Sequence, residues 1–393
     1  MSGPDMRFSV DGWDPGYGTS SDPEEDLGES TARVDVTVEL PAARWRAVDP
    51  PPGLVPPAAL LFVDGVRRVE ARVWIEDSTP DGVPATEASA ALCASYAAGV
   101  VCCCRGQAHL VKAEPRRGLF TVASHAADIA TWAGTYTAER TKPAPGKPLA
   151  ETLSQLLQRR LGDLEVTVAV EARSALADHG VPPGDDLLIV DGPLRKREHL
   201  PRALGYIKSH RSSYLPPELN ALVGTLTTGQ RTPVFLMGTS WERHSWYLRL
   251  PRASGPPWSG VVRVECSADL AIADVVRLAG LSQTCLARFA STRYKDPRAP
   301  QNLYPISGLE RELRRRLGDP RLLYRALSRS AAALQLRGAL AQEASARLAW
   351  CPRSVACGAW LAAPAPVPAS RARRIASPRA RATGGGKALP TWR

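Results

Sequence analysis

The segments LLFVDG (60–65) and LLIVDG (187–192) constrain this chain more than any other feature of its sequence. Each is a run of four apolar residues followed by an aspartate and a glycine. Such a run reads as a strand buried on both faces, the kind found in the parallel part of an α/β sheet. Each strand then delivers one acid, Asp64 or Asp191, at its tip. An Asp-Gly step taken singly is ordinary turn chemistry. The pair gains meaning from what lies between its members.

After Asp64, VRRVEARVWIED (66–77) alternates apolar and charged residues, as does the stretch from Tyr96 to Cys104, and QAHLVKAE (107–114) and GLFTVAS (118–124) extend the pattern. The reading is a β-meander. Leu149, Leu153, Leu156, Leu157, Leu161, Leu164 and Val168 then recur at helical spacing, on a helix expected to run to about residue 179 and to carry Glu165 and Glu171. The turn residues GVPPGDD (180–186) end it. Strands are expected at VDVTVEL (34–40), ALGYIK (203–208), TPVFLM (232–237), HSWYLRL (244–250) and SGVVRVEC (259–266). A helix follows around Ile272 to Leu278, then a loop, APQNLYP (299–305), and a basic helix, SGLERELRRRLGD (307–319).

An acid on the first strand, an antiparallel meander, a helix bearing an acid and a second acid at a strand tip suit one fold class. That class is an α/β, ribonuclease H-like mixed sheet with flanking helices and β-rich insertions. Carboxylates converging at one sheet edge repel unless a divalent cation neutralises them. Metal-assisted phosphodiester hydrolysis is the chemistry such a cluster supports.

Composition bounds this reading without carrying it. The 393 residues hold 50 basic and 39 acidic side chains, a net charge of +11. Residues 1–30 contain eight acids and one base and read as a mobile acidic arm. Residues 331–393 contain ten bases and one acid amid Ala, Pro and Gly, so 328–393 reads as a basic low-complexity tail, disordered by default. The body, 31–330, keeps 39 bases against 30 acids, a balance that permits an anionic partner such as DNA. Arginine supplies 43 of the 50 bases, as a GC-rich gene would also encode. No apolar run approaches a membrane span and the acidic start has no signal-peptide pattern, so the expectation is a cytoplasmic protein without a membrane partner.

The eight cysteines make no C-x-x-C pair. Cys102, Cys103 and Cys104 are consecutive, and alternate residues of a strand face opposite ways, so the three cannot converge on one metal. They read as buried strand thiols, with a zinc site using His109 as the lesser alternative. His199, His210 and His244 read as surface or structural residues, and Trp241, Trp246 and Tyr247 as core before base-stacking surface. Arg314 to Arg316 read as a solvated helix face. Asp64, Glu70 and Arg72 imitate a restriction-type Asp…Glu-x-Lys pattern, but the final lysine is absent.

LLFVDG, LLIVDGPL and the following GYIKSHRSSYL together resemble the conserved segments of NurA-type nucleases over roughly residues 58–320. The resemblance implies a ribonuclease H-like nuclease domain over 31–327 and a Mn2+- or Mg2+-dependent DNA nuclease. It also implies a homodimer that acts in DNA end resection with a HerA-type hexameric ATPase. By the same resemblance Asp64 and Asp191 are metal-binding acids and Lys208 and Tyr214 the basic and aromatic positions after the second acid. The helix acid is Glu165 or Glu171. Lys208 would contact the scissile phosphate or pin the carboxylates. The family's last helix usually adds a histidine after a segment resembling LYPISGLER; here no histidine follows His244, and Glu310 is the nearest ligand by position, with Asn302 the weaker one. The alternative is a catalytically inactive DNA-binding or scaffold protein on the same fold.

Overall fold

In the computed structural model the described residues are 32–349, apart from 79–83, 177, 179, 183, 211, 252–254 and 256, together with 391–392. The expected acidic arm and residues 350–390 and 393 of the expected tail lie outside them. Along the chain come β1 (Arg33–Asp35), β2 (Ala59–Ser78), β3 (Pro84–Cys104), β4 (Gln107–Thr121), β5 (Ile129–Thr131), β6 (Gly134–Arg140), α1 (Leu149–Leu176), β7 (Asp186–Asp191) and β8 (Ala203–Ile207). They are followed by α2 (Pro217–Thr225), β9 (Phe235–Gly238), β10 (Glu242–Arg249), β11 (Val261–Ser267), α3 (Ile272–Leu286), α4 (Tyr304–Arg316), α5 (Pro320–Ala349) and β12 (Thr391–Trp392).

The strands form one mixed sheet in the order β1-β9-β10-β11-β8-β7-β2-β3-β4-β6-β5, with β12 beside β4. Most neighbours are antiparallel; β7 runs parallel to both β2 and β8, and β6 parallel to β4. Strand alternation divides the central strands between two cores. Leu61, Val63, Leu188 and Val190 pack under α1, whereas Leu60, Phe62, Leu187 and Ile189 pack under α3 and the start of α4. The apolar stripe of α1 is buried over its whole length, from Leu153 to Leu176. Each such leucine contributes about 1.5–3 kcal/mol. That sum readily outweighs the cost of about 1 kcal/mol for Gly162 inside the helix.

The structure departs from the sequence-based expectation most clearly in three places, besides the strand expected at 34–40, which shrinks to β1. First, 58–65 and 66–77 are one continuous strand, so Asp64 lies within β2 and not at its tip; only the pairing with β7 ends there, at Val63↔Val190. The Asp-Gly step does not turn because Asp64 and Gly65 remain paired with Gly99 and Ala98 of β3. Second, 107–114 and 118–124 likewise merge into β4, Pro115 lying within the strand. Third, α5 continues through residues 328–349, so the boundary expected at 327/328 falls inside a helix. Leu323, Ala326 and Leu327 are buried, and Ser330 donates a hydrogen bond to the Ala130 carbonyl at 3.0 Å. The alanine-rich stretch after residue 330 has high helix propensity, which its low-complexity appearance conceals. Among the described residues no helix is long and apolar enough to cross a membrane.

Candidate metal centre

The two repeated motifs are paired with each other in register. Leu60 lies opposite Leu187, Leu61 opposite Leu188, Phe62 opposite Ile189 and Val63 opposite Val190. Partners in a parallel ladder share a face, so the next step sets Asp64 beside Asp191. Both acids continue the alternation of Phe62 and Ile189 and face the layer formed by α3 and α4. Helix α4 brings Glu310 to the same place. One carboxylate oxygen from each of Asp64, Asp191 and Glu310 lies within 4.8 Å of the other two.

Lys208, just beyond β8, donates from Nζ to Asp191 Oδ2 at 2.7 Å and to Asn302 Oδ1 at 3.1 Å. Asn302 in turn donates from Nδ2 to Asp296 Oδ2 at 2.8 Å, and Arg298 Nη2 stands 2.6 Å from Glu310 Oε2. The loop before α4 thus positions both the lysine and the third acid. Buried Tyr206 fastens that loop to β8 through its hydroxyl, which donates to the Gln301 carbonyl at 2.6 Å.

Glu165 approaches from the α1 side of the sheet. Gly65, one residue after Asp64 and on the opposite face, makes that approach possible: a β-carbon there would stand 2.5 Å from Glu165 Oε1 and 2.6 Å from Leu161 Cδ1. Glu165 is buried and ion-paired with Arg197. Burial raises its carboxyl to about 7; Arg197 opposes that shift and Asp191 adds to it. Gly65→Ala is expected to force α1 away from β2 and to cost roughly 1–3 kcal/mol, the usual range for overpacking. A thermal midpoint equal to the parent's would show that α1 is less closely seated. Gly192, the second motif's glycine, has φ of 97°, a conformation that glycine adopts without strain as the chain leaves β7.

Burial and mutual repulsion among the acids dominate the electrostatics of the cluster. Asp64 Oδ1 accepts the Gly65 N–H at 2.7 Å, but Asp64 Oδ2 and Asp191 Oδ1 are buried and accept no hydrogen bond among the described residues. Burial first, and then the adjacent Asp191, hold the Asp64 carboxyl well above the usual carboxylate range; Lys208 opposes the shift, and Glu310 and Glu165 add to it. Two orphaned carboxylate oxygens beside a third carboxylate form a hard-oxygen donor set, which suits Mg2+ or Mn2+.

Of the residues expected from sequence, Asp64, Asp191, Glu310 and Lys208 come together, whereas Glu165 lies on the α1 face of the sheet, near enough for its charge to raise the Asp64 carboxyl. Glu171 does not: it points to solvent and pairs with Lys112 at 2.7 Å. It lies six residues along α1 from Glu165, about 240° around the helix, and Lys112 of β4 engages it instead. Glu70 is engaged by Arg68 at 2.8 Å, not by the cluster. Asn302 binds the lysine and Asp296 but does not join the acids. Trp246 and Tyr247 are fully buried core residues, and Tyr214 lies beneath Arg263. His210 is buried with Nε2 3.0 Å from the Val261 carbonyl, and burial lowers its pKa to about 4.

Sequence reading missed Glu265. It is fully buried on β11, accepts the Leu194 N–H at 2.8 Å, and stands 2.9 Å from Arg263 and 3.2 Å from Arg243. It thereby holds the loop that follows Asp191. The signal was one acid in the strand VVRVECS, two residues from an arginine on the same face. Gly205 leaves room for it, since a β-carbon there would lie 2.8 Å from Glu265 Cγ.

No protein-family model and no curated protein matches the sequence. Among solved structures, the crystal structure of the NurA nuclease from Sulfolobus solfataricus aligns with a TM-score of 0.34 and 10% identity, over 68% of this chain and 81% of that one. A TM-score at that level does not establish a shared fold, and the geometry of the carboxylate cluster stands independently of it.

Proposed function

We propose that this chain is a metal-dependent nuclease that hydrolyses DNA phosphodiester bonds. The observation that carries the reading is the meeting of buried Asp64 with half-buried Asp191 and Glu310, with an unsatisfied oxygen on each aspartate and Lys208 beside them. Asp64, Asp191 and Glu310 would hold the ion, with Glu165 bearing on them through its charge from the α1 face. When bound, a divalent cation supplies activation of the attacking water and stabilisation of the leaving oxygen. Lys208 orients Asp191 and carries a positive charge to the position where a phosphate would approach. Arg298 and Arg197 steady Glu310 and Glu165.

The order β4-β3-β2-β7-β8, with α1 crossing between the meander and β7, supports a ribonuclease H-like reading of the central sheet. With the motif resemblance to NurA-type nucleases, it favours a role in DNA end processing, as a homodimer beside a HerA-type translocase. Incubating labelled linear duplex and single strand with the protein in Mn2+, Mg2+ or chelator tests the activity, alongside Asp64→Ala and Asp191→Ala. Cleavage should need the metal and both aspartates. Glu165→Gln should slow it while Glu171→Gln leaves it unchanged. DNA binding without cleavage in any metal would support the scaffold reading instead, and cleavage surviving both alanine substitutions would refute the proposed site.

A further inference from the structure

The β3–β4 hairpin turns through only two residues, Arg105 and Gly106, with φ of 51° and 76°. Two positive values in succession fit the tight hairpin turn whose twist matches its strands. This turn fixes the register: Cys104 lies opposite Gln107, Cys103 opposite Ala108, and Cys102 opposite His109. Directly opposed residues of an antiparallel pair share a face, and so do residues two apart on one strand. Cys102, Cys104 and His109 therefore project to one side. The three consecutive cysteines do not converge, as alternation requires, but two of them converge with a histidine from the next strand.

Sulfur and ring-nitrogen atoms of the three residues lie within 4.8 Å of one another, and Cys104 Sγ is 4.0 Å from His109 Nδ1. Tetrahedral zinc, with bonds of about 2.3 Å to sulfur and about 2.0 Å to nitrogen, holds its ligands about 3.5–3.8 Å apart. Small side-chain rotations close the difference. Cys102 is fully buried beside Leu176 and Val181, while Cys104 and His109 are only partly covered, so an ion can enter from the hairpin end. Cys103 faces the other core, beside Ala108 and Leu110.

We propose that Cys102, Cys104 and His109 form a zinc site, separate from the carboxylate cluster, with solvent water as fourth ligand. The donor set is soft, two thiolates and an imidazole, and selects Zn2+ over the hard ions that suit the three acids. A divalent ion displaces the two thiol protons, and the resulting unit is neutral, which suits its partly buried place. The site clips the tip of the hairpin whose strands continue into the sheet beside Asp64.

Cobalt is the probe. The full-length protein, reduced with a phosphine and stripped by chelator, is titrated with Co2+ and then with Zn2+. The expected result is a sulfur-to-cobalt charge-transfer band with the visible bands of tetrahedral Co2+, saturating at one ion per chain and bleached by Zn2+. Cys104→Ser, Cys102→Ser and His109→Ala should each weaken Co2+ binding at least tenfold and reduce the band, whereas Cys103→Ser and Asp64→Ala retain it. Cys104 and His109 are partly exposed, so those variants fold even if Cys102→Ser does not; circular dichroism checks each. Absence of the band, its persistence in Cys104→Ser and His109→Ala, or equal loss in Cys103→Ser would overturn the proposal.

Discussion

Asp64→Asn is expected to lower phosphodiester cleavage by about a thousandfold or more and, in the same molecule, to stabilise the metal-free fold. A thousandfold is about 4 kcal/mol in barrier height, within what metal-centred charge stabilisation supplies. The opposite effect on stability follows from the same geometry. Asp64 is buried, one of its oxygens lacks a donor, and Asp191 adjoins it. Its carboxyl is therefore raised in the folded state above its value in the unfolded chain. Across the window between those two values the folded protein binds the extra proton, so stability falls as pH rises through that window. Asparagine has the same shape and no charge, and escapes that loss, with a gain of roughly 1–3 kcal/mol at neutral pH. Thermal melts in chelator at pH 5 and pH 8 should show the variant's advantage widening at the higher pH. Added Mn2+ should stabilise the parent and leave the variant nearly unmoved. A variant that melts below the parent at pH 8, or that cleaves at the parental rate, would contradict this account of Asp64.

Glu265→Ala is expected to be the most destabilising of the substitutions considered, by about 3–5 kcal/mol, the cost of removing one member of a buried ionic cluster. The mutation strands the charges of Arg243 and Arg263 and leaves the Leu194 N–H without its acceptor. Glu265→Gln should lose less, because an amide oxygen can still accept from Leu194 and only the ionic part is removed. The damage should also reach the metal centre, since Leu194 lies three residues after Asp191 in the connection to β8. Urea denaturation of both variants separates these effects. A loss below about 1 kcal/mol for the alanine form would mean that the arginines find water or other partners at no great cost.

The parts of the site legible in the sequence are those with local signatures. Asp64 and Asp191 end apolar runs long enough to be recognised as buried strands, and α1 shows its helical period through seven apolar positions. Strand boundaries were less legible. Asp-Gly suggested a turn after Asp64, yet continued pairing with β3 carries the chain straight through, because tertiary pairing overrides local turn preference. The choice between Glu165 and Glu171 could not be made from periodicity; it depends on the gap at Gly65 through which Glu165 approaches β2. Glu310 was found only by its distance along the chain from a familiar segment. Arg197 and Arg298 carried no local signal, since their importance arises where distant elements meet, and Glu265 carried only the one acid in a buried strand beside Arg263. The hairpin cysteines show the same limit from the other side. Alternation excluded a three-cysteine site, but the cross-strand partner of Cys102 depends on a register that only the two-residue turn fixes.

The central claim is that Asp64, Asp191 and Glu310 together hold a hard divalent cation. Electron paramagnetic resonance of free Mn2+, titrated into the full-length protein, reads this directly, without reference to any nucleic acid. The parent should remove Mn2+ from solution saturably, and Mg2+ should compete for the same site. Asp64→Asn and Asp191→Asn should each weaken that binding at least tenfold, whereas Glu171→Gln, paired with Lys112 away from the three acids, should leave it unchanged. Parental Mn2+ binding that persists in both aspartate variants, or no binding by the parent at all, would contradict the account.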